Sequence, residues 1–359
     1  MIKSFKDIHW PVLFLTVGIS LSSIFFIYSA TFRGTDHFIV KQLMWIGISL
    51  AAMWLVVSFG YRTFLNTSYL LYGISILLLA GVLIFGHERL GAQRWFQIGS
   101  FVLQPSELSK ISTILALAHF LISRDRWIGQ KRSLFIAGGM VALPFILILK
   151  QPDLGSAMVF IAITISILLI WGIRLRYLVI IFSLALISAP FLWHGLKPYQ
   201  QKRLTVFLNP SVDPLGSGYT AIQSKIAVGS GGLIGKGWLR GTQTQLDFVP
   251  EHHTDFIFCV VGEEFGFLGS LLLIFLYGAL IGYAIQIMDR TTDRGAQLLA
   301  AGVSAMLFFQ IFINIGMTIG IAPITGITLP LLSYGGSSLL ATFIAIGFLI
   351  SIYKERSIF

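Results

Sequence analysis

Long apolar runs recur down this chain with a length and spacing that only a lipid bilayer explains. Read between charged or turn-rich breaks, they fall near residues 11–30, 38–58, 69–86, 106–122, 134–149, 155–171, 177–193, 257–287, 297–315 and 338–352. A helix needs about 20 residues to cross hydrocarbon, and most of these runs approach that length. Composition agrees, because 56% of the 359 residues are hydrophobic and 11% are charged, against roughly 25% charged in soluble domains. An ordinary soluble enzyme is excluded, and so is a disordered chain. The pattern predicts an all-α polytopic membrane protein of about ten transmembrane helices. It forms one domain over residues 1–359, with one large extracytoplasmic loop at 194–256. The first run is too long for a signal-peptide core and reads as a retained helix.

An even number of crossings puts both termini on one side, and the basic residues choose the side. With a cytoplasmic N-terminus, the inner segments carry 13 of the 25 Lys and Arg, the short outer segments six, and the long loop the other six. Long loops are weak topology signals, so the comparison of 13 with six decides for cytoplasmic termini. The polar segments 86–110, 150–156, 194–255 and 316–338 then all face outward, which points to a site on that face. The excess positive charge is dispersed between spans rather than gathered in a stripe, so it suits anionic lipid and not nucleic acid. A single cysteine, Cys259, excludes an internal disulfide and a cysteine zinc cluster.

Charges at membrane depth are costly, so each asks for a reason. Glu107 and Lys110 open the fourth span at a spacing that puts them on one helix face, as a local ion pair or as the polar wall of a cavity shared with Arg94. Asp153 belongs to a helix break with Lys150, Gln151, Pro152 and Gly155, which is structural or takes part directly. In the long loop, Arg203, Lys225 and Lys236 suit a phosphate-bearing lipid head group or a solvated basic surface. The run GSGGLIGKG at Gly229–Gly237 fails as a nucleotide loop and reads as a glycine turn with freed amides. The sharpest group is Glu251, His252, His253, Thr254 and Asp255, directly before a helix. Adjacent histidines converge poorly on a metal. Thr254 or Asp255 is either the helix cap or, for the carboxylate, a base at the lipid surface. Of Glu263 and Glu264, two turns further on, one must face something other than lipid.

At these residues the chain resembles the SEDS family (shape, elongation, division and sporulation). The resemblance rests on GAQRWFQIG, QPSELSK, QPDLGSA, DPLGSGY, QSKIAVGSGGLIGKG, PEHHTDFIF and PITGITLPLLSYGGSS, in that order along essentially the whole chain. Gln151, the GTQTQL run and Met317 resemble its rod-shape-determining elongation branch. The resemblance implies a ten-helix peptidoglycan glycosyltransferase of the bacterial inner (cytoplasmic) membrane. It would polymerise lipid II into nascent glycan beside a class B penicillin-binding protein, the transpeptidase, and other elongation-complex proteins. Asp255 matches the family's essential carboxylate. Arg94, Glu107, Lys110 and Asp153 match its polar positions, and Arg203, Lys225, Lys236, His253 and Thr254 complete the expected substrate-binding set.

The implied chemistry needs few groups. An α-linked pyrophosphate donor and a β-linked product require one inverting displacement. Pyrophosphate is already a good leaving group, so the second, acidic carboxyl of glycoside hydrolysis is dispensable. One base and several cations are enough, with room for a divalent ion, Mg or Mn, that no ligand set specifies. Two other classes stand beside this one. A flippase for lipid-linked precursors would want polar residues on both faces. A noncatalytic scaffold for a transpeptidase would leave the HHTD group unexplained.

Overall fold

The structure, a computed structural model, describes residues 8–32, 37–89, 92–98, 101–124, 130–180, 183, 187, 194, 198–214 and 216–356. Its helices are α1 (Trp10–Thr31), α2 (His37–Phe59), the short α3 (Tyr61–Asn66), α4 (Ser68–Phe85), α5 (Pro105–Ile122), α6 (Gln130–Lys150) and α7 (Leu154–Trp171). The second half holds α8 (Pro198–Leu208), α9 (Ser217–Ser230), α10 (Ile257–Arg290), α11 (Arg294–Ile319) and α12 (Gly336–Arg356). Among the described residues, eight helices (α1, α2, α4, α6, α7, α10, α11 and α12) have the length and apolar character to cross a membrane. The expected span at 177–193 lies largely outside the described residues. The chain is a multi-pass membrane protein, and its fold is nearly all α-helical as expected, with one small sheet added. Strands β1 (His87–Arg89), β2 (Ala92–Ile98) and β3 (Phe101–Leu103) form an antiparallel sheet in the order β1-β2-β3. Trp95, Phe96 and Ile98 favour extended backbone, and Trp95 pairs with His87 while Phe96 pairs with Leu103.

Helix α5 accounts for the other expected span, and its polarity explains its position. Lipid cannot satisfy polar groups, so a helix carrying Ser106, Glu107, Ser109, Lys110, Ser112 and Thr113 must be enclosed by other helices. All six are buried. Helices α4, α6, α7, α11 and α12 pack around α5. Lipid-facing side chains such as Leu77, Phe85 and Phe135 are instead apolar and exposed. Gly302 of α11 brings that helix against Ile114, where a Cβ would lie 2.7 Å from the isoleucine Cγ2.

Helix α10 is broken near its start, and the break is where the long loop fastens. Gly266 has φ 64° and ψ −156°, outside the helical region. The glycine run fills the gap. Phe267 N donates to Gly232 O at 2.9 Å and Leu268 N to Leu233 O at 3.1 Å. Lys236 N and Gly237 N donate to the carbonyls of Glu263 and Glu264, each at 3.0 Å. Backbone freed by the break is therefore satisfied by the loop, as membrane depth requires. A Cβ at Gly235 would lie 2.1 Å from Glu264 O, which is why this run must be glycine-rich.

Both glutamates at the break also serve the loop. The Glu263 carboxylate accepts from Lys236 Nζ at 2.7 Å, Gln243 N at 2.8 Å and Thr244 N at 3.0 Å. Glu264 accepts from Ser29 Oγ and from Leu239 N. By contrast, Gly278 and Gly282, one turn apart on α10, have no described atom within 4 Å of where a Cβ would lie.

Candidate active site

Asp255 sits in the turn that runs from Pro250 to Phe256 and leads into α10. The cap alternative is not realised. Phe256 holds the cap position without a side-chain hydrogen bond, and the Thr254 hydroxyl turns back to Glu251 O at 3.3 Å. Among the described residues, no donor hydrogen-bonds the Asp255 carboxylate, although its backbone is firmly held.

Three consecutive carbonyls of this turn accept from the C-terminal third of the chain. Tyr334 N donates to His253 O at 3.0 Å, Ser333 Oγ to Thr254 O at 2.6 Å, and Asn314 Nδ2 to Asp255 O at 2.8 Å. Asn314 Nδ2 also donates to Ile327 O at 2.7 Å, which ties the 323–338 segment to the same point. Gly326 has φ +76° and lies against the carboxylate: a Cβ there would be 3.3 Å from Asp255 Oδ2 and 4.0 Å from an Arg203 guanidinium nitrogen. A left-handed backbone and this close approach both call for glycine.

The surroundings set the charge of Asp255. Burial pushes its carboxyl up to about 6, with Glu251 and Asp153 adding to the rise and Arg203 and Arg94 opposing it. Such a group is ionised at neutral pH yet basic enough to accept a proton. Burial lowers the His253 imidazolium below its usual range, and the imidazole is neutral at pH 7. Asp213, in the loop, is held down by Lys202, 3.0 Å away, and by Ser217.

The other expected residues divide between this group and supporting roles. Arg94, Asp153 and Arg203 all lie within electrostatic reach of Asp255. Arg94 also braces the turn between α6 and α7, donating to Gln151 O at 3.0 Å and to Pro152 O. Asp153 caps α7 through Ser156 N at 3.0 Å and accepts from Gln104 Nε2 at 3.3 Å. Lys225 lines a small apolar cavity with Arg203, Phe207, Met317 and Ile324. Lys236 is engaged with Glu263 at the helix break, apart from these. Glu251 stood in the sharpest sequence group without a role of its own, and Ser333 and Asn314 were not singled out. Asn314 carried a signal, since an amide inside the apolar run IFINIG is expensive unless it has partners.

Glu107 and Lys110 form an ion pair at 2.7 Å with Lys110 only 1% exposed. Removing one partner leaves a buried charge uncompensated, at about 3–5 kcal/mol, whereas replacing both can be nearly neutral. Thermal melts in detergent should therefore show Glu107→Leu and Lys110→Met each well below wild type, and the double variant above both single ones. Additive losses would instead mean that each side chain has separate partners.

A bundle of membrane-spanning helices built around a buried polar helix, with a carboxylate within electrostatic reach of Arg203 and Arg94, defines a class of integral membrane protein. The sequence profile of the FtsW/RodA/SpoVE family, described as cell cycle protein, matches residues 7–358, and the chain belongs to that family. It is 39% identical to peptidoglycan glycosyltransferase MrdB of Escherichia coli strain K12, over 99% of this chain and 96% of the relative. Its fold matches a chain solved in work on the structural coordination of polymerization and crosslinking by a peptidoglycan synthase complex. That match has TM-score 0.85 and 35% identity, and covers 97% of this chain and 98% of the other. A crystal structure of the Thermus thermophilus rod shape determining protein RodA matches with TM-score 0.74 and 31% identity, over 97% of each chain.

Proposed function

We propose that this protein is a peptidoglycan glycosyltransferase that polymerises lipid II at the outer face of the cytoplasmic membrane during elongation and rod-shape maintenance. The observation that carries the reading is the Asp255 carboxylate: free of hydrogen bonds, raised toward neutrality, and within reach of Arg203 and Arg94. In the reaction, the acceptor 4-hydroxyl oxygen attacks the anomeric carbon of the donor while its proton passes to Asp255. The bond from that carbon to the phosphate oxygen breaks, and the electron pair leaves on undecaprenyl pyrophosphate. Configuration inverts once, from α to β. Arg203, Arg94 and Lys225 supply positive charge for the departing pyrophosphate. His253 and Thr254 shape the turn that carries the base. Glu107, Lys110 and Asp153 hold the helix ends beneath it, and Lys236 holds the loop.

The reading extends to setting and partners. A class B penicillin-binding protein is the expected transpeptidase partner, supported by the match to a peptidoglycan synthase complex and by the naming of relatives such as MrdB. Residues 1–359 act as one unit, with the 194–256 loop as its outer cover. The termini are cytoplasmic. Purified protein given fluorescent lipid II should extend it into glycan strands resolved on a gel, and accumulation of lipid II without strands would refute the activity. For orientation, an impermeant maleimide applied to cells should label Ser230→Cys and spare Ser123→Cys. Both positions are solvent-accessible or half-buried, and native Cys259 is buried. The reverse labelling would invert the topology.

A further inference from the structure

Charges of both signs act on Asp255, and two of them, Arg203 and Glu251, belong to different cavities. One cavity holds Arg203 and Lys225 against Phe207, Met317 and Ile324. Another cleft, of about 300 Å³, shares no lining residue with it and is formed where the end of α1 and the start of α2 meet residues 244–253. Its wall carries two open carboxylates, Asp247 (82% exposed) and Glu251 (52% exposed), with the Gln245 amide, the His253 imidazole and the ring of Phe38. The cleft is about ten times a water molecule's share of liquid volume, room for a sugar ring rather than a lone ion. Asp255 belongs to both neighbourhoods. Glu251 and His253 precede it in the same turn, while its Oδ2 and the Arg203 guanidinium approach the same point at Gly326.

From this we infer that the acidic cleft is the subsite for the acceptor saccharide. The inference rests on the glycosyltransferase reading and deepens it. Hydroxyl-rich neutral sugars bind where carboxylates and amides accept O–H donors and an aromatic ring covers the C–H face. Asp247, Glu251 and Phe38 supply those groups. A pyrophosphate is excluded there by two carboxylates and drawn to Arg203 and Lys225. The acceptor hydroxyl therefore reaches Asp255 from the acidic side and the leaving group departs on the basic side, as an in-line displacement requires. His253, neutral because it is buried, is packed 5.0 Å from the Phe38 ring. It lines the cleft without adding charge that would recruit phosphate.

The test uses the full chain in detergent with two probes. One is a lipid-free, uncharged β-1,4 oligomer of N-acetylglucosamine, the sugar that carries the attacking 4-hydroxyl, and the other is undecaprenyl pyrophosphate. Asp247→Asn and Phe38→Leu should each weaken glycan binding on the order of tenfold, about the effect of one lost polar or ring contact. Undecaprenyl pyrophosphate binding should stay within about twofold in both. Arg203→Ala should do the converse. Phe38→Leu keeps bulk, and a wild-type melting temperature in either variant rules out misfolding as the cause. Unchanged glycan binding in Asp247→Asn and Phe38→Leu would overturn the assignment. So would equal loss of both probes, or a cleft that binds Mn²⁺ but not glycan. Failure of the catalytic reading looks different: Asp255→Asn would then polymerise lipid II normally, whichever way the binding results fall.

Discussion

Asp255→Asn is expected to abolish glycan polymerisation while the protein folds, melts at or above the wild-type temperature and still binds lipid II. Replacing a general base costs about 10² to 10⁴ in rate, and here little else can compensate, since Glu251 lies on the exposed rim. The stability half of the expectation follows from linkage. The carboxyl is raised from its ordinary value to about 6 in the folded protein, so ionisation opposes folding as pH climbs from the unfolded value through 6. Removing the charge removes that opposition. No cap is lost, because the Asp255 side chain does not cap α10. Near-normal polymerisation by the variant would eliminate the base assignment. A lower melting temperature with activity lost in proportion would show that the carboxylate supports the fold.

The same geometry fixes a pH dependence. A base works only when deprotonated, so the acid limb of kcat/KM should fall through about pH 6, not through the ordinary carboxylate range near 3.8. Glu251 raises the carboxyl, so Glu251→Gln should move that limb to lower pH. Arg203 lowers it, so Arg203→Ala should move the limb upward while also impairing the pyrophosphate side.

Much of this was legible in the sequence because membrane proteins leave a strong signature. Among the described residues, apolar runs marked nine helices to within a few residues, and Glu107 and Lys110 stood out as charges on one face of α5. Motif resemblance pointed to Asp255 directly. What the sequence could not supply were the pairings between distant segments. Nothing in Glu263 or Glu264 alone says that their carbonyls receive the amides of Lys236 and Gly237, and that depends on the break at Gly266. The strands at 87–103 were hidden by being short, in a segment whose aromatic and charged residues also suit an irregular loop. Arg94 and Asp153 stood out as charges, but their service to a helix junction becomes visible only through Gln151 O and Ser156 N.

Asn314 was missed for a related reason, and the second large effect is expected there. Its single amide nitrogen donates to the carbonyls of Asp255 and Ile327, joining the Asp255 turn to the segment whose Gly326 backs the carboxylate. A misplacement of about 1 Å in a catalytic group can cost about 10²-fold. Asn314→Leu keeps the volume but strands two carbonyls, at about 1–3 kcal/mol each. The variant should therefore lose roughly 10²-fold in kcat, by that positioning argument, with KM for lipid II little changed. A merely structural amide would lower the yield of folded protein and leave the surviving molecules with a normal pH profile. A positioning amide changes the profile: once the turn loosens, water reaches Asp255, its carboxyl falls toward the ordinary range, and the acid limb moves below pH 6. Asn314→Gln, which restores a donor one methylene further out, should recover part of both the rate and the limb. Folded Asn314→Leu protein with wild-type kcat and an unmoved acid limb would show that the turn holds Asp255 without this amide, leaving Ser333 Oγ and Tyr334 N as the sufficient restraints.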